Sequence, residues 1–427
     1  MVEVSPPSDR PRPFARHLLR SRSFLGYLAQ DSLSSTATSV AGVVVAWYVY
    51  ASTGSALEVG LVALAESLAA VGTSLPAGTW VDRFDRRRLL ITAHAVRAVA
   101  FLLLAGVALR LGYEITPLVA LVLAWTAASE LRRSTSYSIL PDLVKADDLT
   151  DANGIDRAVT STLQAVSGAI GGGIIVTVGV VFGFAYAALA YGIAALVTAA
   201  LLASRPKSST AGLPHGARKE GMLASMREGF RWLLAQAGLW QLSLSAMFFN
   251  FFFTLTFTYL VVFVVEGLHA GSLVFGILLG TYSSGYVLGS FLTGRTRGLR
   301  YAGRAWVVGY GGVGGACLVL MSSLPNLLVT LVATTVIGLA VGFSGTAWLT
   351  ASQNLVPSDL RGRYFAIDGV LSFVSGPPAI AVGALLVSVL GSVETYFVAG
   401  GAMLVSALGF ALLNPLWNLD GRRPAGP

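Results

Sequence analysis

Charge is what this chain has least of. Only 12% of its 427 residues are Asp, Glu, Lys or Arg, against about 25% in an ordinary soluble domain. With 55% of residues hydrophobic, the polar groups left over cannot cover a folded surface. A water-soluble globule is excluded, and the lipid bilayer becomes the first partner. Cysteine is almost missing, and the single Cys317 rules out a disulfide within the chain and any cysteine-built metal centre. The four histidines, His17, His94, His215 and His269, are scattered without ligand spacing, so no metal is expected. Gly171, Gly172 and Gly173 are not followed by Gly-Lys-Ser or Gly-Lys-Thr. They read as close helix packing rather than a phosphate loop. No cofactor is expected and no catalytic constellation stands out, so the chain does not read as an enzyme.

What the chain has is long apolar runs. A membrane-crossing helix needs about 20 mostly apolar residues. Dividing the chain at charges, prolines and glycine-rich turns gives twelve spans, at 24–50, 57–80, 89–110, 116–140, 155–180, 183–204, 240–265, 272–294, 303–323, 326–350, 365–390 and 394–414. The net charge of +8 lies mostly in loops and tails, which speaks for topology and not for nucleic acid. One set of connections holds Arg83, Arg86, Arg87, Arg88, Lys145, Arg205, Lys207, Arg218, Lys219, Arg295, Arg297, Arg361 and Arg363, whereas the opposite set holds only Arg110. The positive-inside rule then puts both termini in the cytoplasm of a multi-pass cell-membrane protein. Residues 1–22 are basic and proline-rich and read as a cytoplasmic tail. Residues 23–204 form one six-helix bundle and 240–414 a second. Between them 205–239 is a cytoplasmic linker, in which Met222, Met226, Phe230, Leu233 and Leu234 recur at helical spacing as a surface-lying amphipathic helix. Residues 415–427 form a second tail.

The halves repeat. Gly60 and Gly78 correspond to Gly276 and Gly294 at one offset, 276 − 60 = 216. The same offset carries Leu140-Pro141 onto Val356-Pro357, Lys145 onto Arg361, and Phe24 onto Trp240. The fold class is thus all-α: twelve transmembrane helices in two pseudo-repeated halves, with a site expected between them at mid-membrane.

The turn after the second span reads Gly78-Thr79-Trp80-Val81-Asp82-Arg83-Phe84-Asp85-Arg86-Arg87-Arg88-Leu89-Leu90. It resembles the cytoplasmic signature Gly-x-x-x-Asp-Arg-x-Gly-Arg-Arg-x-x-Leu of the major facilitator superfamily. Gly78, Asp82, Arg83, Arg86, Arg87 and Leu90 match in register, while Asp85 stands where the family usually has glycine. The stretches Leu140 to Asn153 and Pro357 to Arg363 look like its bacterial drug and siderophore exporters. The resemblance implies a gate in which Asp82 docks against the start of the eleventh span, near Ala366 to Gly369, with Arg133 as the partner from the fourth. Gly78 itself reads as a point where two helices approach closely. The Gly-Pro-x-x-Gly-Gly pattern of many antiporters is kept only in part, as Ser167-Gly168-Ala169-Ile170-Gly171-Gly172.

A charge inside a membrane span is a functional candidate, because its burial costs at least about 2.5–3.5 kcal/mol. Glu66 lies about 13 Å from one end of its span and about 21 Å from the other at 1.5 Å per residue. Asp31 sits beside Gln30, Ser32, Ser34, Ser35 and Thr36 on a polar stripe. Both acids, with Gln30, are candidates for proton coupling or substrate contact; the alternative for each is a carboxylate satisfied by a neighbouring helix. Glu130, with Arg97, Arg132 and Arg133 toward the same side, reads as a structural ion-pair cluster. Asp156 and Asp368 read as acids near helix N-termini, where the helix dipole favours them. Among the aromatics of the seventh and eighth spans, Asn250, Tyr282 and Tyr286 are the cavity-facing candidates. Acids and aromatics together suit an amphipathic, cationic compound. The expected function is proton-coupled efflux of a hydrophobic small molecule by alternating access, by a chain acting as a monomer. An uptake symporter for a polar solute and a non-transporting sensor are the alternatives.

Overall fold

The computed structural model describes residues 16–145, 148–201, 222–295, 298–357 and 360–421. Twelve of its helices are long and apolar enough to cross a membrane. The first six are α1 (Arg22–Thr53), α2 (Ala56–Arg83), α3 (Arg86–Arg110), α4 (Ile115–Leu143), α5 (Leu149–Val178) and α6 (Val180–Leu201). The helix α7 (Met222–Ala235) precedes α8 (Ala237–Thr258), α9 (Ser272–Arg295), α10 (Ala302–Ser323) and α11 (Leu327–Leu355). The eleventh span is built from α12 (Arg361–Val374) and α13 (Gly376–Leu390), and α14 (Ser392–Ala411) is the last. Its break at Ser375 precedes Pro377 and Pro378. Proline supplies no N–H to the preceding turn and disfavours helix in the residue before it. Of the sequence-derived linker, 205–221 lies outside the described residues, as do 1–15, 146–147, 202–204, 296–297, 358–359 and 422–427.

The charged turn is tighter than the sequence suggests. α2 runs through Arg83 and α3 begins at Arg86, leaving Phe84 and Asp85 as the connection. Asp85 is extended, and its carboxylate accepts the Arg88 backbone N–H at 2.8 Å. The residue that departs from the family pattern is therefore the N-cap of α3. Arg86 then binds the Ser138 carbonyl (2.9 Å) and Asp142 at the end of α4, and Arg87 binds the Ala199 carbonyl at the end of α6. Guanidinium groups at two helix C-termini meet the negative ends of both dipoles. Two of the arginines thus staple three helices of one half, a role that spacing alone did not reveal. Asp85→Ala is expected to cost about 1 kcal/mol, the usual value of a lost N-cap. A lower midpoint in thermal unfolding would record it, and Asp85→Ser should recover most of the loss.

Close helix approach occurs elsewhere than at Gly78, where an added Cβ would meet nothing within 4 Å. The halves join through α5 against α9 and α2 against α13, at the end opposite the arginine-rich turns. A Cβ on Gly276 would stand 2.1 Å from the Gly168 carbonyl oxygen, and one on Gly172 would stand 2.3 Å from that of Ser272. Only glycine permits such backbone contact. The same offset relates both interfaces: Gly60 + 216 is Gly276 and Gly168 + 216 is Ala384, and Gly60 packs on Ala384 as Gly276 packs on Gly168. Tyr50 and Glu266 are also 216 apart, and they hydrogen-bond to each other at 2.6 Å. Equivalent positions can touch only at the pseudo-two-fold axis, which therefore passes between these two side chains.

Candidate functional site

A cavity of about 510 Å³ opens between the halves. The first half lines it with Thr38 from α1, Ala63, Glu66, Ser67 and Ala70 from α2, and Trp125, Thr126 and Ser129 from α4. The second half adds Asn250, Thr254 and Thr258 from α8, with Ser372, Gly376 and Ile380. Asn250, Thr254 and Thr258 are spaced four apart and so share one face of α8. That polar stripe was present in the sequence, hidden by the phenylalanines around it. The hydroxyls of α4 were missed because serine and threonine are common in membrane helices and carry no strong signal by themselves.

Glu66 is the one carboxylate among these lining residues, and no side chain among the described residues hydrogen-bonds to it. It stands free on a wall that is otherwise hydroxyl, amide and aliphatic. Asn250 lies across the cavity, and its Oδ1 accepts the Tyr310 hydroxyl at 2.8 Å. A second lobe of about 260 Å³ shares Asn250 and Ser372 with the first and is walled by Tyr286, Trp306, Tyr310 and Trp348. Tyr286 is thus in the wall. Tyr282 stands behind it, packed on Phe257 at 4.6 Å between ring centres.

Gln30 and Asp31 are not in the cavity wall. Gln30 is fully buried and hydrogen-bonded to His94 Nε2 at 2.8 Å. Asp31 is buried and bound to Arg132 at 2.5 Å. The polar stripe of α1 faces α3 and α4, because the charges of those helices need counter-groups inside the half. The expected cluster of Arg97 and Glu130 also divides differently. Glu130 pairs with Arg133, one turn along α4, at 2.5 Å. Arg97 is fully buried against neutral groups: it donates to Ser34 (2.7 Å) and Thr38 (2.5 Å) and lies 3.8 Å from the centre of the Tyr191 ring. A planar, weakly hydrated guanidinium tolerates such a setting better than an ammonium would. Since Thr38 is in the cavity wall, Arg97 stands one side chain behind it.

Asp156 and Asp368 do not cap their helices. α5 starts at Leu149 and α12 at Arg361, so each acid lies about two turns inside, beyond the reach of the helix-terminal charge. One carboxyl oxygen of each is buried without a hydrogen-bond partner among the described residues. The side chain of Asp82, and those of Arg361 to Arg363 and Ala366 where its docking was expected, lie outside the described residues. Of the other residues of the expected gate, Arg86 and Arg87 hold α4 and α6, and Arg133 holds Glu130.

At the opposite end Glu266 gathers both halves. One oxygen accepts the Tyr50 hydroxyl at 2.6 Å and the other accepts the Ser392 hydroxyl at 2.8 Å. It projects from a wide turn of π type, Phe263–Gly267, that extends α8.

Comparisons with known proteins agree with this architecture. The family model described as Major Facilitator Superfamily matches residues 32–379. Multidrug efflux pump Tap of Mycobacterium tuberculosis (strain ATCC 25618 / H37Rv) and its namesake in Mycobacterium bovis (strain BCG / Pasteur 1173P2) are each 32% identical over 247 residues. That match covers 55% of this chain and 57% of theirs, so the chain spans little more than half the length of the curated relatives it matches. Among solved structures, a bacterial homolog to human lysosomal transporter Spinster, inward-facing and unoccupied, superposes with a TM-score of 0.70 at 15% identity, covering 98% of this chain and 100% of that one. The D-xylose-proton symporter also gives 0.70 at 15%, covering 96% and 100%. These likenesses establish the fold.

Proposed function

The chain belongs to the major facilitator superfamily and is a multi-pass membrane transporter of small molecules; from that premise we propose that it exports amphipathic cations in exchange for protons. Glu66 is the observation that carries this reading. It is the one carboxylate among the lining residues of the cavity between the halves, and no described side chain pairs with it. Such a group can take either a proton or a cation without breaking an ion pair of the protein. The two ligands therefore compete for one site, which is the elementary requirement of antiport. A binding surface of hydroxyls, an amide and aromatic rings suits a mostly apolar molecule with one positive charge. The partial match to a multidrug efflux pump supports the same class.

The cycle alternates closure at the two ends. The arginine-rich turns face the cytoplasm under the positive-inside rule, with both termini on that side. In the conformation described, the glycine contacts of α5 and α9 and the Tyr50–Glu266–Ser392 bridge close the external end. Asp82 is assigned the complementary role of closing the cytoplasmic end, on the strength of the family pattern. The chain works as a monomer, each half rocking against the other so that the two ends open in turn.

Everted vesicles with an acidic lumen test the direction. A quaternary aromatic ammonium is the right tracer, since a weak base would partition into acid without a carrier. Antiport is expected to load the lumen at least about tenfold over vesicles lacking the protein, in line with a favourable coupling of about 1.4 kcal/mol or more. Net loss of a preloaded tracer would instead identify a symporter, and no gradient-dependent movement would reject transport of this class.

A further inference from the structure

The smaller lobe of the cavity has a composition unlike the larger one. Its rings come from three helices of the second half: Tyr286 from α9, Trp306 and Tyr310 from α10, and Trp348 from α11. No charged side chain is among its lining residues. Trp306 and Tyr310 meet edge to face at 5.1 Å, and Trp306 and Trp348 are tilted together at 6.0 Å. The polar atoms of two of these rings are already engaged. Trp306 Nε1 donates to the Ser245 hydroxyl at 2.9 Å, and the Tyr310 hydroxyl donates to Asn250 at 2.8 Å. Trp348 Nε1 is different, being buried and without an acceptor among the described residues. That atom has no surface open to the lobe, so Trp348 offers a ligand ring surface rather than a donor.

We infer that this lobe is a second subsite, which receives a planar aromatic group of about two fused rings, while Glu66 holds the cationic end of the same molecule. The inference rests on the proposed cation-binding role of Glu66. Size sets the ring count: a dry cavity of about 150 Å³ admits benzene, and this lobe measures about 260 Å³. Aromatic walls favour edge-to-face and offset contact with a flat ring over a branched aliphatic group. Asn250 and Ser372 belong to both lobes, so one ligand can reach from the rings to the carboxylate. The substrate class narrows from any amphipathic cation to an amine that carries a flat aromatic group.

Quinine serves as the probe, since it joins a methoxyquinoline to a basic amine. Its binding is measured by equilibrium dialysis at one fixed pH against the full chain in lipid nanodiscs. Gly345 lines the lobe, and a Cβ added there meets nothing within 4 Å. Gly345→Leu therefore fills the lobe without disturbing the helix, and is expected to weaken quinine at least about tenfold, as loss of a buried ring contact would. Trp348→Phe cuts the ring surface that the lobe presents, and is expected to weaken it about two- to fivefold. Neither change should alter the binding of methylammonium, which is small enough to sit on Glu66 without reaching the rings. Glu66→Gln should weaken both probes. Unchanged quinine binding in Gly345→Leu and Trp348→Phe overturns the subsite, and a loss confined to Glu66→Gln then leaves the proposed function standing. Loss in the two lobe variants with none in Glu66→Gln keeps the subsite and overturns the role of Glu66. No quinine binding by the unaltered chain overturns the inference outright.

Discussion

Glu66→Gln is expected to abolish gradient-driven transport while leaving the protein folded and inserted. Glutamine has nearly the volume of glutamate, so the packing of α2 is preserved. What disappears is the exchange of a proton for a cation on one group. A downhill leak of substrate can persist, since the cavity and its hydroxyls remain. The expected signature is a fall of at least about tenfold in pH-driven accumulation, the loss of a coupling worth about 1.4 kcal/mol or more. Exchange of labelled for unlabelled substrate at equal pH should fall much less. Equal effects on both would show that Glu66 binds substrate without coupling it to protons. Asp31→Asn is the control, because the two acids looked alike from the sequence. Asp31 is ion-paired with Arg132 in a buried setting, and its loss leaves a guanidinium without its counter-charge. Breaking such a pair costs about 3–5 kcal/mol. That variant should fail in folded yield and thermal stability before any coupling can be measured.

Gly276→Val should stop the cycle by another route. The added Cβ would stand 2.1 Å from the Gly168 carbonyl oxygen and 2.8 Å from its carbon, where ordinary contact is 3.4–4 Å. The obstacle is backbone on both sides, so no side chain can swing away. Closure of the external end then requires α5 and α9 to separate. Overpacking of this kind costs about 1–3 kcal/mol, which shifts the balance between closed and open external ends by about 5- to 150-fold. Each half is built independently of this contact, so the variant should still insert. With Cys317 replaced by Ser and a reporter introduced as Ser67→Cys in the cavity wall, an impermeant maleimide should label Gly276→Val from outside far faster than the parent. Unchanged labelling and transport would show that α5 and α9 do not form the closing surface. Tyr50→Phe offers a graded comparison. Glu266 is exposed, and exposed charged contacts are worth about 1 kcal/mol or less. It should therefore raise external labelling by well under tenfold. The glycine contacts dominate closure, and the Tyr50–Glu266 bridge trims it.

The architecture was legible because its signals are one-dimensional. Twelve apolar runs, the alternation of arginine between the two sets of loops, and a constant offset of 216 can be counted along a chain. The offset had a further consequence that counting could not show: it placed Tyr50 on Glu266 and made Gly60 on Ala384 the repeat of Gly276 on Gly168. Site residues were legible only in part. Glu66 and Asn250 stood out by polarity against an apolar background, and both line the cavity. Gln30 and Asp31 stood out by the same rule and lie inside one half. The aromatic lobe was invisible, because Trp306, Tyr310 and Trp348 come from helices whose sequences look like any other membrane span.

The chain alone therefore determines which segments cross the membrane, that they form two related halves, and that Glu66 and Asp31 lie too deep for a loop. Only the tertiary structure decides that Asp31 answers Arg132 while Glu66 lines the cavity between the halves. The physical reason is that helical periodicity specifies which residues share a face of one helix, whereas neutralisation depends on what a second helix presents some 8–10 Å away.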